Sequence, residues 1–484
     1  MRLGQLQEKF EAWLASELPW PCHRLKPKNA LIVAAAVLLG ILIALIPAPS
    51  GAPPKAMLAL GLGTFTVILW ATQAISQPLA SLIFMTLLLA TGIGSLRTIA
   101  AGFVSNAAWL VLGGLLIATA TEKTGFGRWV ARKFLGGFQG SYQSLVLGIL
   151  VGTSTLSFLV PSNMGRVAIT VPVVVAIARE AGYAFGSNGY NGLVITAVLG
   201  NFTTALAVLP ANLLSIMIAG TGEAMYGVSV TYMRWLLLCG PVLGLSKGFL
   251  VYVLVPRLYP APPPNSLAGM AASTGPLSTE AMRVGMVLGL AILLWSTDFV
   301  HGLRPGWVAI GAAMLLYLPR IGVLPWTELL EKQRFLIVVW ISGVLALSAM
   351  FSETGASEVL STVLGKLAGI EGKSPTYGYF AIAYLFSLLT MVATMGGTVP
   401  TMMAAVGGIS QATGLPIETG MVSLTAGATA LLLPYVAAPM VVGLAIGKVD
   451  QRIAAKFTLW SALISYVTII PLNALWWKLI GALP

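Results

Sequence analysis

Six residues constrain this chain more than any others: Pro161, Ser162, Asn163, Met164, Gly165 and Arg166 interrupt two apolar stretches, Ser144 to Val160 and Val167 to Ala178. A Pro, a Gly, an amide and a guanidinium this close together cannot continue a lipid-facing helix. Backbone groups left unpaired at membrane depth are tolerated only where protein or water surrounds them. With membrane-embedded flanks, the interruption is a buried tip or a broken helix, which is where transporters commonly place their binding sites.

Composition supplies those flanks. Hydrophobic residues make up 57% of the 484, charged residues 9%, and mean hydropathy is +0.90, against roughly 25% charged in a soluble domain. A soluble enzyme is excluded, and an all-α integral membrane protein built as one bundle is expected. The net charge of +12 fits basic loops facing anionic lipid rather than nucleic acid. Cys22 and Cys239 lie too far apart to argue for a disulfide. Residues 1–29 lack the apolar core of a signal peptide and form a cytoplasmic segment, with an interfacial helix over 5–18.

Spans are expected at Ala30 to Ile46, Ala56 to Ala71, Pro78 to Leu96 and Asn106 to Thr121. An amphipathic surface segment follows, Glu122 to Gly140. Residues 141–178 then read as a re-entrant hairpin, since each arm is near the lower limit for a full crossing. The span within 191–219 is broken near Pro210, which removes a donor and clashes with the preceding turn. A span from Thr231 to Val255 completes a first half, 30–255, and the Pro-, Ala- and Ser-rich stretch 256–280 is the linker. The second half, 281–484, repeats the order: spans at Arg283 to Phe299, Pro305 to Leu318 and Phe335 to Phe351, then a surface stretch over 352–373. After these come an interrupted pair, 377–410, with its break at 394–400, and a span within 418–447 broken by Pro434 and Pro439. A last span runs from Phe457.

Trp109 to Gly125 aligns without gaps, at an offset of 230, with Val339 to Gly355. Such internal symmetry points to a secondary transporter with its site at the repeat interface. Eleven spans and an inner amino terminus place 18 of the 27 basic residues inside and seven outside, leaving Arg166 and Lys247 in the membrane. The bias obeys the positive-inside rule, and the two halves have opposite orientation.

Ser162 and Asn163, with the amide of Asn212 and carbonyls freed near Val208 and Gly165, form an oxygen-only, neutral set. That set suits sodium better than a transition metal, although the same residues could simply cap helix ends at a buried corner. Arg166 is an intramembrane cation, costly and usually functional. It could neutralise an anion, hold the hairpin through carbonyls, or snorkel. Thr394 and Thr398 are candidate donors to a substrate. Helix-start amides in the hairpins suit a carboxylate or sulfate. No nucleotide loop, metal cluster or catalytic arrangement stands out, and no organic cofactor is expected.

The stretch Ser157 to Pro172 resembles the first hairpin motif of the divalent anion/sodium symporter family, within the ion transporter superfamily. Thr204 to Leu213 resembles its first helix break, and Trp340 to Gly355 resembles its second-half Gly-Gly-Gly-Leu-Ala-Leu segment ending in a Gly. The resemblance runs from about residue 30 to 480. It implies an inverted-repeat fold of about eleven transmembrane helices and two re-entrant hairpins, a homodimer in the cell inner membrane, and elevator symport of a di- or tricarboxylate or sulfate with sodium. By match, Ser162, Asn163 and the Val208 to Asn212 break fall on a first sodium site, and Ser162, Asn163, Arg166, Asn212, Thr394 and Thr398 border the substrate. The chain departs from the pattern at Met164 and at Arg166, where a small residue is usual. The second tip has neither Ser nor Asn, which removes the usual donors from a second cation site near Gly396 and Ala437. Proton-coupled or sodium-independent exchange by the same fold is the alternative, and a non-transporting membrane receptor or scaffold is a more distant one.

Overall fold

The computed structural model describes residues 26–49, 51–135, 138, 140–265, 275–391 and 395–484, and among these every regular element is helical. The segment expected as an interfacial helix, 5–18, lies outside them, as do Thr394 and part of the linker. Seven helices are long and apolar enough to cross a membrane, with four shorter apolar helices beside them. The chain is a multi-pass membrane protein.

The elements that position the site fall into two matching series. The first contains α1 Pro27–Leu45, α2 Ala56–Thr72, α3 Gln77–Ala90, α4 Leu96–Phe103, α5 Asn106–Lys123 and α6 Phe126–Leu135. It continues with α7 Tyr142–Leu159, α8 Asn163–Glu180, α9 Asn188–Thr203, α10 Leu213–Tyr226 and α11 Tyr232–Leu258. The second contains α12 Thr279–Ser296, α13 Pro305–Leu315, α14 Lys332–Thr354, α15 Ala356–Ala368, α16 Pro375–Leu389, α17 Met395–Thr413, α18 Ile417–Ala428, α19 Ala438–Ile446 and α20 Gln451–Leu479.

The local geometry repeats more faithfully than the side chains do. α14 ends in a left-handed glycine, Gly355 (φ 74°), and the chain leaves α5 through Gly125 (φ 73°), the residue aligned with it at the offset of 230. A glycine takes this conformation without a Cβ penalty. Both broken segments run extended, through one 3-10 turn, then extended again: Val208, Leu209–Ala211 and Asn212 in the first, Leu433, Pro434–Val436 and Ala437 in the second. α11 and α20 each contain a π-helical stretch, Gly240–Ser246 and Ser465–Ile469. Pro241 and Pro471 stand in or next to these stretches, where each removes an amide donor from the regular ladder.

Packing crosses the repeat. α9 lies against α7 and α8, and α18 against α16 and α17. The half-helix after each break then turns to the other half: α10 packs on α17 and α18, and α19 on α8 and α9. Glycines set these approaches. A Cβ on Gly200 of α9 would stand 2.2 Å from Oγ1 of Thr153 in α7, and one on Gly427 of α18 would stand 2.2 Å from the Ala383 carbonyl in α16.

Three expectations are corrected. The third span ends at Ala90 rather than Leu96. Ser95 instead begins a separate short helix, α4, through a reciprocal capping box with Thr98, an arrangement that satisfies two helix-start donors at once. The surface segment expected over 122–140 begins later: Glu122 and Lys123 belong to α5, and the separate helix runs from Phe126 to Leu135. Of the second interruption, expected at 394–400, the described residues are helical from Met395 onward. Thr398 and Pro400 are inside α17, where a proline this close to the start removes a single hydrogen bond of the opening turns.

Candidate functional site

Ser162 lies between α7 and α8 in extended conformation and caps α8, its Oγ accepting from the Gly165 amide at 3.2 Å. The cap turns the start of an 18-residue helix toward a cavity of about 1500 Å³. Ser162, Met164, Gly165 and Ala168 line it from the tip, Leu115 and Thr119 from α5, and Arg128 and Arg132 from α6. Its mouth carries Glu328, paired with Lys123 and with Arg334. Helix starts present amides without intrahelical acceptors and the positive end of the dipole, a combination that favours anions.

Arg166 stands behind this surface rather than on it and is fully buried. Nη1 donates to the Val160 carbonyl at 2.5 Å. Nη2 donates to the Asn201 carbonyl at 3.0 Å, to the Ala211 carbonyl at 2.9 Å and to Oδ1 of Asn163. These oxygens come from the end of α7, the start of α8, the end of α9 and the 3-10 turn that precedes α10. Among the described residues none of its partners is a carboxylate. Of the roles open to Arg166 in the sequence, the guanidinium is found holding carbonyls. The acceptors are available because helix ends and breaks leave carbonyls without intrahelical donors.

The other candidates divide. Asn163 is buried at the guanidinium, and Gly165 faces the cavity. Asn212 caps α10, its Oδ1 accepting from the Leu214 amide at 3.0 Å, while its Nδ2 reaches the Phe202 carbonyl at 3.5 Å. The Val208 carbonyl accepts from the Ala211 amide at 2.9 Å. Thr398 is buried in α17, two residues beyond Gly396. Ala437 starts α19 with its carbonyl accepting from the Met440 amide at 2.9 Å. Thr394 lies outside the described residues.

Sequence reasoning did not assign Asn201, whose carbonyl meets Arg166 and whose Nδ2 donates to Thr170 Oγ1 at 2.6 Å. Nor did it find the hydroxyls that close carbonyls of the second half. Ser387 donates to Ala430 at 2.9 Å, Thr458 to Leu432 at 2.9 Å and Tyr435 to Met391 at 2.8 Å. Lys247, seen only as an intramembrane cation, donates to Ser461 Oγ at 2.6 Å and Ser465 Oγ at 2.7 Å. A smaller cavity, about 500 Å³, lies between α15 and α17 and is lined by Glu358, Lys366 and Gln411.

Residues 27–483 match the family described as the sodium:sulfate symporter transmembrane region. A membrane protein of Cupriavidus necator is 25% identical over 490 residues, covering 95% of this chain and 94% of its own length. The sodium-dependent dicarboxylate transporter SdcS of Staphylococcus saprophyticus is 24% identical over 464 residues, covering 90% of this chain and 88% of its own. The crystal structure of the Alcanivorax borkumensis YdaH transporter shares the fold with a TM-score of 0.51 at 14% identity, covering 94% of this chain and 98% of that one.

Proposed function

The chain belongs to the sodium:sulfate symporter family, the divalent anion/sodium symporter group, and from that premise we propose that it is a secondary active transporter of a small dianion. The substrate class is a di- or tricarboxylate or a sulfate-like anion, bound at the floor of the large cavity against Ser162 and the first-turn amides of α8. The observation that carries this reading is the capped start of α8 opening on the cavity with a buried guanidinium directly behind it. Eleven spans and two re-entrant hairpins, α7–α8 and α16–α17, account for the element order. The amino terminus is cytoplasmic and the carboxy terminus extracytoplasmic, in a homodimer of the cell membrane. The hairpins and broken helices move together as an elevator against the remaining spans, exchanging the large cavity for its smaller counterpart on the opposite face.

Sodium symport is the coupling that the family's description names. The packing of Arg166 favours a second reading, in which the first site takes no sodium.

Thermal unfolding of the purified protein with succinate, citrate, sulfate, sulfonates and phosphate tests the anion. Binding at 100 times the dissociation constant stabilises by about 2.7 kcal/mol, so one dianion is expected to raise the midpoint in a saturable way. Indifference to all of them, together with no flux in proteoliposomes, favours a receptor or scaffold instead.

A further inference from the structure

We propose that the pocket around Asp298, between the turn from α10 to α11 and the loop from α12 to α13, is a site for a monovalent cation, separate from both hairpins. Binding stands on the pocket alone, and its effect on transport rests on the transporter reading above.

The pocket measures about 190 Å³. Asn106 lines it from the start of α5, Glu223 from α10, Ser229 and Thr231 from ahead of α11, and Asp298 and Arg304 from between α12 and α13. Its walls are closely packed. A Cβ on Gly220 of α10 would collide with Ala107 of α5, and one on Gly306 of α13 with the Asn106 carbonyl. The space nonetheless far exceeds the roughly 10–15 Å³ that one water needs.

Charge selects the occupant. Glu223 is paired with Arg304, which leaves Asp298. That residue is only 3% exposed, and among the described residues it has no ion-pair partner. Its Oδ2 accepts from the Tyr232 amide at 2.6 Å, whereas Oδ1 is buried with no hydrogen-bond partner among the described residues. A buried carboxylate without a counter-charge is costly. Water in the pocket would satisfy the hydrogen bond but not the charge. One uncompensated negative charge calls for one positive charge. Asn106 Oδ1, which accepts from the Gly306 amide at 2.7 Å, keeps a second lone pair. With the hydroxyls of Ser229 and Thr231 and with water, it can complete the shell of a small ion. A divalent ion would exceed the charge and usually takes about six to eight oxygens.

Position gives the site a consequence. Glu122 and Lys123, at the end of α5, border the large cavity, whereas Asn106, at its start, borders this pocket. The two therefore lie at opposite ends of an 18-residue helix, about 27 Å long. Asp298 and Arg304 already tie the loop from α12 to α13 to Tyr232 and Glu223. In the elevator reading α10 moves and that loop does not. A cation in the pocket thus holds the arrangement in which the large cavity is open, and acts as a brake on the crossing.

The test uses the full chain in choline chloride without anion substrate, titrated with lithium, sodium and potassium chlorides at constant ionic strength. At least one of them is expected to raise the unfolding midpoint saturably, by about 2 °C or more. Asp298→Asn is expected to lose at least half of that rise, and Ser162→Ala, at the hairpin, to keep at least three-quarters of it. A rise kept in full by Asp298→Asn, or abolished by Ser162→Ala, places the ion elsewhere and overturns the proposal. No rise with any of the three salts does the same, as does a response confined to magnesium or calcium. Should Asp298→Asn fail to fold, wild-type crystals soaked in thallium(I) decide: a peak in contact with Asp298 Oδ1 supports the site, and a pocket without one overturns it. For the brake, the ion is expected to speed labelling of Ser162→Cys through the large cavity at least twofold, a gain absent once Asp298→Asn is added. Equal or slower labelling overturns the brake. Absence of anion flux in proteoliposomes overturns the transporter reading, while the binding result stands.

Discussion

Among the described residues Asn163 is the one side-chain acceptor of Arg166, and changing its charge separates two effects of that residue. Asn163→Asp would give the buried guanidinium a charged partner, and a charge-assisted pair is stronger than one to a neutral amide. Because Arg166 is already desolvated, adding its counter-charge is expected to hold or raise the thermal midpoint. The anion, by contrast, would lose the net positive charge behind the tip. Two charges about 8 Å apart at an effective dielectric near 20 interact by about 2 kcal/mol, so affinity is expected to fall about thirtyfold. Anion titration and thermal unfolding of the variant check both signs, and unchanged affinity would contradict the electrostatic role. Lys247 is the companion case, since it binds two serine hydroxyls across the packed α11 and α20. Replacing a buried charge by an apolar side chain of similar volume is often near neutral. Lys247→Met is therefore expected to shift stability by about 1 kcal/mol or less, whereas Lys247→Ala, which opens a cavity, costs about 2–3 kcal/mol. At this scale the sequence displayed Ser162, Asn163 and Arg166 because their side chains are conspicuous between apolar arms. It could not display the carbonyls of Val160, Asn201 and Ala211, which carry no signature in residue type. Ser461 and Ser465, more than 200 residues from Lys247, gave no local signal either.

At the scale of elements, the breaks were legible and the joints were not. Pro210, Pro434 and Pro439 mark the two broken segments, since each removes a donor wherever it falls. The extended, 3-10, extended course shared by both breaks emerges only with the coordinates. α4 escaped notice because eight residues with a capping box are too short to show a period. The start of α17 was misplaced because Pro400 resembles a terminator although it belongs to the opening turns. Close glycine contacts were likewise hidden. At Gly427 the obstructing atom is the Ala383 main-chain carbonyl, which cannot rotate away as Thr153 can at Gly200. Gly427→Ala is thus expected to destabilise by about 1–3 kcal/mol, as overpacking does. Thermal unfolding checks this, and no change would show that α16 and α18 separate freely.

Taken whole, the molecule is two matching series of helices, each packed into the other's core. α10 packs against α17 and α18, and α19 packs on α8, whose start carries Ser162 and Asn163. Composition fixed the membrane setting and the offset of 230 hinted at the plan, but the meeting of four chain ends at Arg166 depends on packing between segments up to 45 residues apart. One cavity of about 1500 Å³ opens at the start of α8, and another of about 500 Å³ lies between α15 and α17. The most direct measurement is thiol labelling of Ser162→Cys, with Cys22→Ser as background and Cys239 buried, in a sodium-free medium. A membrane-impermeant reagent should reach position 162 through the large cavity, and the transported dianion should slow labelling at least tenfold. Labelling unaffected by an anion that the same preparation transports would place the binding site elsewhere and contradict the tip as the seat of transport.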